Sequence, residues 1–137
     1  METLLISATQ TTPEIRFSVE DNIFRMSGTS RPEDVRAMYY PVIDWIKGLS
    51  DNILNNNINF FSEQNPLRFQ VELMYFNSSS AKFLYDIFLE LKRISSSGIP
   101  VIIEWFYEKD DTDMLDAGND IALLIDMEFT YVLKEFN

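Results

Sequence analysis

The run Asn77-Ser78-Ser79-Ser80 holds the residues whose types and spacing could most directly do chemistry. Three hydroxyls follow an Asn where an apolar extended segment gives way to a helical period. Hydroxyls placed there lie beside free backbone N–H groups at the positive end of a helix dipole, where an anion is favoured. Two uses fit. The residues cap the helix, as Ser and Asn commonly do, or one of them accepts a phosphoryl group. A phosphoserine would bring about −1.5 to −2 charge and three acceptor oxygens, changing an exposed surface without unfolding the domain.

A second concentration of chemistry is acidic: Glu108, Asp110, Asp111, Asp113 and Asp116. A Ca²⁺ or Mg²⁺ site is one reading, but an EF-hand loop needs oxygen ligands at its first, third and fifth positions and Gly at the sixth. Counted from Asp111, those last two positions hold Leu115 and Asp116. Carboxylates at a helix start are favoured by the dipole alone, and a docking surface for a basic partner is the other use. The expectation is no metal and no cofactor.

The 137 residues include no Cys and no His. Zinc sites, thiol nucleophiles, Ser-His-Asp triads and histidine acid/base chemistry are therefore excluded together. The glycines, Gly28, Gly48, Gly98 and Gly118, are too dispersed for a nucleotide-binding loop. No two acids pair across a recognisable cleft, so no catalytic residue is assigned. A net charge of −11 repels nucleic acid and anionic lipid. No apolar stretch approaches the roughly 20 residues that span a bilayer, and Met1 to Ile6 lacks the basic start of a signal peptide. A cytoplasmic protein, away from membrane and nucleic acid, is expected.

The elements that position these residues can be read from periodicity. A hydrophobic fraction of 46% in 137 residues supports one globular domain spanning 1–137. Leu4 to Ala8, Ile15 to Val19 and Ile23 to Met26 predict short strands, with Asp21-Asn22 as a hairpin turn. Ser30, with Glu33 three residues on, predicts a capping box before a helix carrying Val35, Met38, Tyr39, Val42, Ile46, Leu49 and Ile53 on one face, with a kink or a delayed start expected from Pro41. Asn55 to Pro66 reads as an exposed loop. Leu67 to Phe76 alternates as a strand whose end is buried. A helix carrying Phe83, Leu84, Ile87, Phe88, Leu91 and Ile94 and ending near Ser97-Gly98, a strand from Val101 to Tyr107, a helix through Met114, Ala117, Ile121 and Leu124, and a strand through Phe129, Tyr131 and Leu133 follow. The fold class is α/β, with a β-α-β-α-β second half that implies parallel strands and right-handed crossovers.

Thr9-Gln10-Thr11-Thr12-Pro13, Gly28 to Glu33, Pro41-Val42-Ile43-Asp44-Trp45, Tyr75 to Ser80 and Trp105-Phe106-Tyr107 together resemble the SiaC family of bacterial regulatory phosphoproteins. That family is similar in fold to the STAS domain of anti-sigma-factor antagonists. The resemblance implies a STAS-like mixed sheet with an N-terminal hairpin. It also implies a phosphoacceptor immediately after the Asn, which is Ser78 here where the family pattern has Thr, with Asn77, Ser79 and Ser80 completing a loop read by kinase and partner. The implied partners are a serine/threonine kinase, a metal-dependent phosphatase and a diguanylate cyclase that the unmodified form activates. Two rival readings stay open: a small-ligand or divalent-cation-dependent enzyme using the acidic cluster, and a constitutive scaffold in which the Ser run is only a cap.

Overall fold

Ile15 and Phe17 alternate with Glu14 and Arg16, and Phe24 and Met26 alternate with Arg25 and Ser27, so each segment carries one apolar face. In the computed structural model, which describes residues 1–134, these faces meet. β2 (Glu14–Ser18) and β3 (Ile23–Ser30) pair antiparallel, with Ile15 opposite Met26 and Phe17 opposite Phe24. The connecting turn bends at Asn22, whose φ of 50° is one that Asn tolerates through local hydrogen bonding. β1 (Leu4–Ile6) adds antiparallel to β2 as an edge. The expected hairpin is present.

From β3 onward the chain repeats strand, helix, strand. α1 (Val35–Leu54), β4 (Leu67–Phe76), α2 (Ser78–Ser96), β5 (Val101–Glu108), α3 (Thr112–Ile125) and β6 (Thr130–Lys134) follow in order. β3, β4, β5 and β6 pair in parallel, completing a six-stranded sheet whose spatial order is the chain order. Right-handed crossovers that always step the same way put all three helices on one face. Their apolar stripes and the inward strand residues make one continuous core. Among the described residues no helix covers the other sheet face, which carries ion pairs between Arg25 and Glu72, Lys134 and Glu72, and Arg68 and Glu104.

Three local expectations change. The start of α1 is capped by Asp34, whose carboxylate accepts from the Ala37 N–H at 3.1 Å, and not by Ser30. Ser30 is the buried last residue of β3, and its hydroxyl is engaged elsewhere. α1 also continues through Pro41, so its start is not delayed; the bond Pro41 cannot donate would go to the carbonyl of Ala37, and both residues lie on the solvent-exposed side. In the loop 55–66, Phe61 is buried against Phe24, and Asn22 holds the loop's end by donating to the Pro66 carbonyl at 2.8 Å.

A fourth change bears on the site. Alternation along β4 holds through Leu73, then a bulge shifts the register: Gly28 pairs with Leu73, but Thr29 pairs with Tyr75, so Met74 is skipped. Gly28 makes this local geometry accessible with φ of 114°, which L side chains rarely adopt. Beyond the bulge Met74 and Tyr75 are 58% and 51% exposed, whereas Phe76 turns inward onto Trp105 at 6.1 Å between ring centroids. The strand end is thus not buried on both faces.

Trp105 anchors the far half of the core. It contacts Phe76, Phe88 and Phe129, and its Nε1–H donates to the Met114 carbonyl at 2.9 Å. α3 lies so close that a Cβ on Gly118 would stand 2.7 Å from Nε1, so glycine is required there by space.

Candidate functional site

The bulge delivers Asn77 to the mouth of α2. Its backbone N–H donates to the Ser30 carbonyl at 3.0 Å, tying the end of β4 to the end of β3. Its side chain is the N-cap: Oδ1 accepts from the Ser80 N–H at 2.9 Å and from the Ser79 hydroxyl at 3.0 Å. Ser78 is therefore the first helical residue, and it is exposed. Ser79 is exposed beside it. An anion at either hydroxyl would sit at the favoured end of the helix dipole.

Ser80 departs from the expected surface loop: it is fully buried. The period of α2 turns it inward, towards Ser30 and Tyr39. The Ser30 hydroxyl donates to Ser80 Oγ at 2.8 Å, and Ser80 Oγ donates to the Ser30 carbonyl at 3.1 Å. The remaining 2.6 Å contact between Ser30 Oγ and the Tyr39 hydroxyl then has Tyr39 as donor, since Ser30 has already used its proton. Every hydroxyl in this buried cluster finds a partner, which is what burial demands. Burial also pushes the Tyr39 phenol above its ordinary pKa. The phenol therefore stays protonated and keeps donating. Three elements, β3, α1 and α2, are pinned directly beneath Ser78.

Ser30 and Tyr39 were not singled out from sequence as neighbours of the Ser run. One signal was available: a Tyr on the apolar stripe of α1 needs a partner for its hydroxyl. Ser80→Ala leaves the Ser30 donor without its acceptor and is expected to cost about 1–3 kcal/mol of folding stability. The exposed Ser79→Ala change is expected to stay within about 0.5 kcal/mol. Urea unfolding of both variants checks this, and equal midpoints would remove the pinning role.

The acidic cluster is arranged differently. Asp111 caps α3, its Oδ1 accepting from the Met114 N–H at 3.0 Å, and Asp113 lies in the first turn. Among the described residues no group of three or more acids is placed to hold a metal ion. Nor is any helix among them long and apolar enough to cross a membrane.

A mixed sheet covered by helices on one side, with a hydroxyl displayed where a strand hands over to a helix, defines a two-layer α/β domain. The comparisons carry this to a family. The model of SiaC family regulatory phosphoproteins matches residues 6–134, and the chain belongs to that family. An uncharacterized protein of Pseudomonas aeruginosa (strain UCBPP-PA14) is 33% identical over 110 residues, 80% of this chain and 79% of that protein. The crystal structure of apo-SiaC from Pseudomonas aeruginosa is similar with a TM-score of 0.76 and 27% identity, covering 98% of this chain and 100% of that one. A chain in the crystal structure of diguanylate cyclase SiaD in complex with its activator SiaC, from the same organism, matches with a TM-score of 0.80 and 26% identity, over 96% of this chain and 99% of that one.

Proposed function

We propose that this protein is a phosphorylation-gated activator whose switch is Ser78. The unmodified form binds and activates a diguanylate cyclase, raising cyclic di-GMP; a serine/threonine kinase phosphorylates Ser78, and a metal-dependent phosphatase restores it. The protein contributes no catalytic residue and needs no cofactor. The whole chain acts as one regulatory unit, in the cytoplasm, where the kinase finds ATP. One observation carries the reading: in a member of a family of regulatory phosphoproteins, the first residue of the helix at the strand-to-helix junction is an exposed hydroxyl, Ser78. The cyclase enters because a closely similar fold, SiaC, is the activator in the SiaD complex. Within the loop, Asn77 and Ser79 shape the exposed turn that kinase and cyclase read, while Ser80 holds it from below.

The experiment is incubation with the cognate kinase and ATP, followed by mass-spectrometric mapping. Phosphate is expected on Ser78, and Ser78→Ala should remain unmodified. Modification confined to Ser79 or elsewhere, with Ser78→Ala still phosphorylated, would refute the assignment.

A further inference from the structure

We infer that phosphorylation of Ser78 is relayed along α2 by Lys82, which leaves Asp86 to pair with the phosphate. This inference rests on the assignment of Ser78 as phosphoacceptor. Ser78, Lys82 and Asp86 are successive residues four apart on one helix, so their side chains share one face. In the unmodified protein Lys82 Nζ lies 3.1 Å from Asp86 Oδ2 and 4.9 Å from the centroid of the Phe83 ring. The Lys82 side chain is 71% exposed, so nothing around it prevents a change of rotamer.

Which acid wins is decided by order and charge. Within a helix an i,i+4 ion pair is stronger when the acid precedes the base, because that order also agrees with the helix dipole. The existing pair has the base first, at 82, and the acid second, at 86. A phosphoserine at 78 places the acid first. Helical side chains lean towards the N-terminus, which points Lys82 back at position 78. The phosphate also carries about −1.5 to −2 charge against −1 for Asp86. Both differences favour the new pair.

The exchange reaches beyond the phosphorylated turn. Lys82 and Asp86 form one side of a groove of ≈ 280 Å³ between α1 and α2, faced by Tyr40, Asp44 and Lys47, with Phe83 at its floor. When Lys82 leaves, Asp86 at this rim loses its cation. The charge change at Ser78 thus spreads two helical turns, to a surface where Tyr40 is already 54% exposed.

The test uses the full chain with phosphoserine installed at position 78 by genetic encoding, so that no kinase is needed. Phosphorus NMR then follows the second ionisation of the phosphate in wild type and in Lys82→Gln. The charged groups of the groove are Asp44 and Lys47 on α1 and Lys82 and Asp86 on α2, and the Gln variant alters one of them. The phosphate pKa is expected to be lower in wild type by about 0.3 or more, the equivalent of an i,i+4 ion pair. Lys82→Arg should keep that lowering, and Asp86→Asn should deepen it by removing the competitor. Equal pKa values in wild type and Lys82→Gln, both folded by circular dichroism, would overturn the relay. A kinase that ignored Ser78 would instead refute the phosphoacceptor assignment and leave this titration unaffected.

Discussion

Trp105→Ala is expected to lower the free energy of unfolding by about 3–5 kcal/mol, the cost of truncating a large buried aromatic. That is a large share of the roughly 5–15 kcal/mol available to a domain. The side chain is fully buried and packs on rings from β4, α2 and the residue just before β6: Phe76, Phe88 and Phe129. It also seats α3, by the bond from Nε1 to the Met114 carbonyl and by close approach to Gly118. Gly118, which has no side chain, contributes nothing to refilling the space. Phe76 lies one residue before Asn77, so loosening this corner also loosens the approach to the Ser78 turn. Chemical denaturation measures the loss. A decrease below about 1.5 kcal/mol would mean that the aromatic cluster repacks around the gap.

Much of this architecture was legible in the residues, and the exceptions have physical causes. Alternation along β2 and β3, the stripe from Tyr39 to Ile53 on α1, and the apolar run of β5 each reflect a single dominant burial direction, which periodicity reports well. The end of β4 was misread because a bulge adds one residue to one strand and reverses the inside-outside pattern beyond it. Ser30 looked like a helix cap because Ser and a Glu three residues later are a common signature, yet the hydroxyl is worth more in the buried cluster with Ser80 and Tyr39. On α3, Leu124 fits an apolar period with Ile121, but it is 70% exposed while Ile125 is buried. The buried stripe runs through Met114, Gly118, Ile121, Ala122 and Ile125, with Gly118 set against Trp105. That the run Asn77 to Ser80 caps a helix followed from local chemistry; that Asn77 is the N-cap is read from the structure. The inward turn of Ser80 did not follow from local chemistry, because it depends on where β3 ends in space.

Phosphorylation of Ser78 is expected to weaken binding to the cyclase by roughly a hundredfold. A phosphate in a docked surface must either find a cation or be desolvated without one. Unfavourable charge at an interface costs several kcal/mol, and about 2.8 kcal/mol corresponds to a hundredfold in affinity. The chain already carries a net charge of −11, so the added group deepens an existing field. Ser78→Ala should bind like the unmodified protein and resist switching. Ser78→Glu should give an intermediate loss, since a carboxylate has one charge and two oxygens.

The most direct measurement is cyclic di-GMP production by the cyclase, titrated with unmodified protein and with protein carrying phosphoserine at position 78. The expected result is stimulation by the unmodified form and little or none by the phosphorylated form at the same concentrations. Equal stimulation by both forms would contradict the switch, whatever residue the kinase modifies.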